Sequence, residues 1–237
     1  MVLSDLIFIL CRPSEPGNTG AVCRVLKNMG LSRLRLVAPA PMDDGVVRAR
    51  AVHAGDVWEQ ARVFDSLESA AADCSLVIGT TRRRGRRRKS ITMTPREAAA
   101  YLRERPGPAA LVFGNERTGL EDRELRFCNL ASHIPADGAF PSLNLSHAVQ
   151  IYAYELFTAL GSARDEPKGR WAPLDQTGIN TLVHSVSASL ESLGFYKHPG
   201  REDQEQFFRD IFSRAALNAG EARYLENIFA KTARLAR

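Results

Sequence analysis

The sequence predicts an α/β fold with a parallel sheet, followed by a small all-α extension. In the first 160 residues, short apolar runs alternate with helical patterns, and this alternation is typical of α/β domains. Four of the five runs are almost continuously apolar, as expected for strands that are buried on both faces of a parallel sheet. The predicted strands are residues 6–10, 34–38, 75–79, 110–114 and 131–135.

The ends of several predicted helices can be recognised from single residues. The tetrapeptide "TPRE" is a capping box, with Thr94 as the N-cap, Pro95 at the first helical position and Glu97 bonding back to the cap. Gly30 lies where the helix predicted over residues 20–29 should end. Residues 46–61 fit either a helix or a partly irregular segment, so both alternatives remain open for them.

The character of the sequence changes after Leu160. Residues 161–178 are rich in glycine, proline and charge, which predicts a linker between a domain of residues 1–160 and a helical extension of residues 179–237. Three helices are predicted in this extension, over residues 179–193, 201–217 and 221–234. A unit of about 60 residues buries little surface alone, so we expect it to dock on another surface.

Composition indicates a soluble globular protein, with 44% hydrophobic and 25% charged residues. The formal net charge of +5 does not by itself indicate a nucleic-acid partner, but seven of the eight residues in "RRRGRRRK" (82–89) are basic. The four cysteines form no CxxC pair, which predicts buried reduced thiols and no metal site. No apolar run approaches the roughly 18 residues of a membrane helix, so we expect a cytoplasmic protein.

Candidate site residues follow the predicted strands, because parallel sheets bind ligands beyond the carboxyl ends of their strands. Four segments follow strands: "CRPSEPGNTGAVCRVLKNMG" (11–30) after the first strand, Thr80 and Thr81 after another, "NERTGL" (115–120) after a third, and "ADGAFPSLNLS" (136–146) after a fourth. The phosphate-binding P-loop and the GxGxxG fingerprint are both absent. These segments predict a site for a polar ligand and an anionic substrate.

Three long segments resemble the signature motifs of a known superfamily. They are "PGNTGAVCRVLKNMGLSRLRLVAP" (16–39), "LVFGNERTGLEDRELRFCNLASHIP" (111–135) and "PSLNLSHAVQIYAYEL" (141–156). Together they resemble the SPOUT superfamily, and more narrowly its SpoU or TrmH-type RNA ribose 2′-O-methyltransferases. The resemblance implies a SPOUT-type sheet with a C-terminal trefoil knot, S-adenosyl-L-methionine as cofactor and a homodimer formed through the knot region.

The C-terminal part narrows the resemblance. "LESLGFY" (190–196) and "FRDIFSRAALNAGEARYLENIFAK" (208–231) are similar to the helical extension of a branch that methylates the ribose at position 32 of the tRNA anticodon loop. The resemblance therefore implies tRNA as the partner. Two alternatives remain open: the same transfer on ribosomal RNA or another tRNA position, and a non-catalytic RNA-binding protein.

The resemblance also implies roles for single residues. The implied catalytic residues are Asn18, Arg24, Glu116, Ser142 and Asn144. An arginine side chain is a poor base because its pKa lies above about 12, so the residues themselves assign Arg24 to positioning a phosphate and the hydroxyl. The alternatives are a solvent-facing Arg24, an Asn18 that only caps the first helix, and a Glu116 that is a solvated charge or an ion-pair partner.

A second group of residues is implied for binding. The implied cofactor-binding residues are Thr80, Thr81, Gly114, Ile134, Pro135, Ser142, Leu143 and Asn144. Arginines beside such a site are expected to bind RNA phosphates, namely Arg24, Arg82, Arg83, Arg84, Arg86, Arg87 and Arg88. The helix predicted over residues 145–160 is apolar nearly all round, and the resemblance implies that it packs in the knot and at the dimer interface.

Overall fold

The computed structural model describes residues 1–82, 92–161, 172–196 and 200–235. A sheet of seven parallel strands lies at its centre, in the order β3-β2-β1-β6-β4-β7-β5. The strands are β1 (Leu6–Cys11), β2 (Leu34–Val37), β3 (Arg62–Phe64), β4 (Leu76–Thr80), β5 (Thr92–Met93), β6 (Ala109–Phe113) and β7 (Leu130–Ser132). The α/β class and all five predicted strands are confirmed, and β3 and β5 are additional edge strands.

Helices cover both faces of the sheet. They are α1 (Pro16–Asn28), α2 (Asp44–Ala51), α3 (Gly55–Glu59), α4 (Leu67–Ala70), α5 (Pro95–Arg103), α6 (Asp122–Phe127) and α7 (Leu145–Leu160), after a 3-10 turn at Leu3–Asp5. The capping box of α5 is confirmed, since the Thr94 side chain accepts from the Glu97 amide and the Glu97 carboxylate accepts from the Thr94 amide. The ambiguous segment 46–61 contains most of α2 and all of α3, joined by a short irregular stretch.

The strand order contains the arrangement that a trefoil knot requires. Strand β7 lies between β4 and β5, although β5 precedes it in the chain. The knot itself remains a prediction.

The core consists of one apolar layer on each face of the sheet. On one face, the Tyr152 ring of α7 packs edge-on against Phe113 with 5.4 Å between centroids, and Phe113 stacks on Phe8. The Tyr152 hydroxyl donates to Ser132 Oγ at 2.8 Å, and burial raises the pKa of this phenol. On the other face, α4 and α6 cover the sheet through Leu67 and Leu125. All four cysteines are buried and free, as predicted.

Helix α7 is only partly covered by this chain. Residues such as Val149 and Leu156 are fully buried in the core, but Tyr154 is 53% and Phe157 43% exposed on the opposite side. The predicted burial of this helix is thus confirmed for the side that faces the core, and the predicted packing of its other side in a dimer stays a prediction.

The helical extension consists of α8 (Gln176–Ser192), α9 (Arg201–Ala215) and α10 (Ala219–Leu235), which share an apolar core. It contacts the sheet domain through polar bonds: Gln176 Nε2 donates to Asn129 Oδ1 at 2.8 Å, and the same oxygen accepts from the Val77 amide. Helix α8 begins within the predicted linker, and the domain boundaries stay a prediction. Among the described residues, no helix is long and apolar enough to cross a membrane.

Candidate active site

A pocket of about 150 Å³ opens at the carboxyl ends of β4 and β6. Its wall comes from three of the segments that the sequence placed after strands, so their predicted convergence is confirmed. Six of the predicted cofactor-binding residues line it: Thr80, Thr81, Gly114, Ile134, Ser142 and Leu143. Pro135 is exposed and lies outside the lining, because the chain turns to the surface after Ile134.

The loop 114–120 forms one wall of the pocket by folding back on itself. The Gly119 amide donates to the Asn115 carbonyl at 2.8 Å, and Gly119 has a positive φ of 70°. A Cβ on Gly114 would lie only 2.0 Å from Gly119 C and Leu120 N. Both glycines are therefore required by the backbone, one by close approach and the other by its left-handed conformation.

Glu116 is held by neutral donors from the start of α1. Its carboxylate accepts from the Ser14 amide and hydroxyl, both at 3.1 Å, from the Glu15 amide at 3.3 Å and from Asn18 Nδ2 at 3.4 Å. These contacts exclude the two alternatives for Glu116, a solvated loop charge and an ion pair with an arginine, among the described residues. Glu116 instead joins the loop after β6 to the loop after β1.

Asn18 continues this chain of hydrogen bonds to the third motif. Its Oδ1 accepts from Asn144 Nδ2 at 2.8 Å, and Asn144 Oδ1 accepts from the Ser146 amide and hydroxyl at the start of α7. Asn144 therefore caps α7 while its amide reaches α1. The alternative that Asn18 only caps α1 is wrong, because α1 begins at Pro16 with Glu15 as its N-cap. Proline at the first helical position starts the helix earlier than predicted.

Arg24 lies on α1 with an exposed side chain, on a different face from the buried Val22 and Leu26. Within the described ranges it forms no hydrogen bond or ion pair. Arg82 is exposed at the pocket lining. The other predicted RNA-binding arginines, Arg83, Arg84, Arg86, Arg87 and Arg88, lie outside the described residues. No group of three or more His, Cys, Asp or Glu that could hold a metal occurs in the described part.

The site also contains residues that the sequence did not single out. Arg12, the first residue after β1, has a φ of 52° and pairs through its guanidinium with Glu124 of α6. Its Nη2 also donates to the Gly119 carbonyl, and its own carbonyl accepts from Asn115 Nδ2 at 2.7 Å. The hydrogen bond to Glu124 raises the pKa of Arg12. The position of Arg12 directly after a strand was the available signal for this contact.

Comparison with known proteins identifies the family. The model of the SpoU rRNA Methylase family matches residues 5–154. The chain belongs to this family. The match covers nearly all of the predicted first domain and confirms the resemblance carried by the three motifs.

Individual SpoU-family relatives cover the helical extension as well. A relative from Pseudomonas aeruginosa (strain UCBPP-PA14), named tRNA (cytidine/uridine/adenosine-2′-O-)-methyltransferase TrmJ, is 36% identical over 249 aligned residues, with 100% of this chain and 96% of that protein covered. The structure of TrmJ from Z. mobilis ZM4 is similar with a TM-score of 0.76 and 31% identity, over 95% of this chain and 98% of that one. The resemblance of the C-terminal helices to the extension of this branch is thus confirmed.

A more distant similarity concerns a liganded member. The structure of an AdoMet-bound rRNA methyltransferase from Sinorhizobium meliloti has a TM-score of 0.51 and 25% identity, over 65% of this chain and 56% of that one.

Proposed function

We propose that this protein transfers a methyl group from S-adenosyl-L-methionine to a ribose 2′-hydroxyl of tRNA, at nucleotide 32 of the anticodon loop. The observation that carries the proposal is the hydrogen-bonded chain from Glu116 through Asn18 to Asn144 beside the pocket. It joins all three motif segments into one site, and the similarity to TrmJ over the whole chain supplies the substrate class.

The residues around the pocket suit this cofactor. Ile134, Leu143 and Leu145 offer apolar contacts for an adenine ring, while Thr80 and Ser142 offer hydroxyls for polar groups. The bare backbone at Gly119, where no atom lies within 4 Å of the Cβ position, lets a ligand approach closely. The chemistry that the cofactor supplies when bound is an electrophilic methyl group on a sulfonium centre.

The protein side of the transfer consists of holding and polarising the hydroxyl. Arg24 has no partner among the described residues, and its five N–H donors can bind a phosphate and stabilise the negative charge that develops on the ribose oxygen as its proton passes to solvent. Glu116 already accepts four hydrogen bonds, so we assign it to positioning the start of α1 and with it Asn18 and Arg24. Ser142 lies at the pocket, close in sequence to Asn144, where substrate and cofactor would meet.

The exposed side of α7 supports a homodimer. Tyr154 and Phe157 are large apolar side chains that this chain leaves half exposed, on the helix that begins directly after the site-bearing loop 141–144. Burying them against a second copy would bring two sites near one interface. A cytoplasmic location remains part of the proposal.

The first experiment measures methylation of unmodified tRNA by the purified protein with labelled S-adenosylmethionine, followed by nuclease mapping and mass spectrometry. We expect the label on the ribose of nucleotide 32. Label on another ribose, or on ribosomal RNA precursors, would keep the chemistry and replace the substrate. Absence of label on every RNA, with RNA still bound, would favour a non-catalytic RNA-binding protein.

A further inference from the structure

Gly20 lets helix α2 pack unusually close to α1, the helix that carries Asn18 and Arg24. A Cβ on Gly20 would lie 2.2 Å from the carbonyl oxygen of Val47 and 2.8 Å from Cβ of Arg50. No larger residue fits between the two helices at this point. The last turn of α2, which carries Arg50, is therefore held directly against the first half of α1.

The Arg50 side chain then runs along α1 toward its beginning. The Cβ position of Gly17 is 3.8 Å from Arg50 Cγ and 3.9 Å from Arg50 Nε. Gly17 precedes Asn18, whose side chain contacts Glu116 and Asn144. The side chain of Arg50 thus reaches the first turn of α1, which also carries Asn18.

Arg50 differs from Arg48, two residues earlier, because its guanidinium has no partner among the described residues. The Arg48 guanidinium pairs with Asp44 and with Glu59, each at 2.7 Å. Arg50 is exposed, and in the parts of the chain that the structure describes it forms neither an ion pair nor a hydrogen bond. Arg48 therefore stabilises the local fold through its ion pairs, while the guanidinium of Arg50 is exposed to solvent.

Arg24 lies on the same side of α1 as the two glycines. Positions 17, 20 and 24 are three and four residues apart, a spacing that places them on one helical face. Arg24 is also exposed and also lacks a partner among the described residues. Along this face Gly20 lies between Gly17 and Arg24 and is buried under α2. Arg50, beside Gly17, and Arg24 therefore lie on either side of the point where α2 packs against α1, and neither has a partner among the described residues.

We propose that Arg50 binds an RNA phosphate beside the first turn of α1, while Arg24 binds the same RNA strand about two turns further along this helix. This inference rests on the proposed function and adds a contact to it. Arg24 acts at the reacting ribose, and Arg50 holds a neighbouring phosphate of the same strand. A guanidinium suits this task because its planar donors match phosphate oxygens in a two-point contact.

The test measures tRNA binding by fluorescence anisotropy over a series of salt concentrations, for the wild type and three variants. Arg50→Gln is expected to weaken binding about tenfold and to reduce the slope of log affinity against log salt by about one, since one phosphate contact is lost. Arg50→Lys is expected to keep the slope because it keeps the charge. Arg48→Gln is the matched control on the same helix and is expected to leave the slope unchanged.

Cofactor binding and methyl transfer separate the failure of this inference from failure of the proposed function. S-adenosylmethionine binding should be equal in the wild type and in Arg50→Gln, because Arg50 does not line the pocket. If Arg50→Gln binds tRNA with the wild-type affinity and slope while both proteins methylate it, Arg50 makes no phosphate contact. If Arg50→Gln binds tRNA more weakly, as expected, but the wild type transfers no methyl group, the phosphate contact stands and the proposed enzymatic function is wrong. A wild type that binds no RNA overturns both.

Discussion

The guanidinium of Arg12 and the carboxylate of Glu124 form a two-point ion pair, with Nε 3.0 Å from Oε1 and Nη2 2.7 Å from Oε2. The same carboxylate accepts from the Glu121 amide at the start of α6, and Arg12 Nη2 also reaches the Gly119 carbonyl. The pair therefore connects the end of β1 with both ends of the segment 119–124. This connection holds the pocket loop against the chain that follows β1.

Replacing Arg12 with alanine should loosen the pocket loop and destabilise the fold. The Glu124 side chain is only 8% exposed, so its carboxylate would lose its charged partner in a poorly solvated place. We expect a loss of about 2 kcal/mol in the free energy of unfolding and a severalfold higher KM for S-adenosylmethionine, with a smaller change in kcat. Urea unfolding and steady-state kinetics measure both effects.

Arg123→Ala is the matched control for that variant. Arg123 pairs with Glu121 at 2.8 Å, but its side chain is 80% exposed, so its removal should change stability by less than about 0.5 kcal/mol. Equal effects of the two substitutions would show that Arg12 has no special part in placing the loop.

Arg24→Ala should separate RNA binding from turnover. Arg24 carries no contact that supports the fold in the described residues, so the variant should fold normally. We expect tRNA affinity within a few-fold of the wild type and a fall in kcat of about 10² to 10³, typical of removing a donor to developing negative charge. Single-turnover methylation measures the rate, and an unchanged rate would remove Arg24 from the mechanism.

Gly114→Ala should abolish cofactor binding by forcing the pocket loop open. The added methyl group would lie 2.0 Å from backbone atoms of Gly119 and Leu120, which cannot move without unfolding the turn. Isothermal titration with S-adenosylmethionine measures the loss. Gly138→Ala is the control, because no atom lies within 4 Å of its Cβ position, and normal affinity in Gly114→Ala would mean that the turn is not needed.

The buried thiols should make the protein less stable in alkali. Burial raises the pKa of Cys23 and of Cys74 from 9.0 to about 12 each. Between these values the unfolded chain releases thiol protons that the folded chain keeps, so the free energy of unfolding falls as the pH rises from about 9 towards 12. Below pH 9 their contribution is constant.

Urea unfolding at pH 8, 9.5 and 10.5 measures this slope, with Cys23→Ala as the control that should make it shallower, since Cys74 keeps its own contribution. The folded protein should also react slowly with iodoacetamide at pH 8, because the thiolate is the reactive form. A slope that is identical in Cys23→Ala would assign the alkaline loss to other groups.

Much of the site could be predicted because its residues lie directly after strands or before helices, and these ends can be recognised in the sequence. Glu116 and Asn144 each lie within a few residues of a strand or helix end, and strand ends of a parallel sheet converge whatever the rest of the chain does. Ser14 and Arg12 were missed, since nothing in their own segments identifies their partners. Strands β3 and β5 were missed because they have three and two residues, too few to form a pattern.

The sequence by itself determined the α/β class, the central buried strands, the helix caps and the family, since each depends on residue types at short and regular spacing. Only the tertiary structure decided which distant groups meet. Arg12 and Glu124 are 112 residues apart, and Asn18 and Asn144 are 126 apart. Strand order and helix packing decide which of these distant side chains come together. Helix packing also explains Arg50, because Gly20 lets α2 pack so close to α1 that the Arg50 side chain reaches the start of α1.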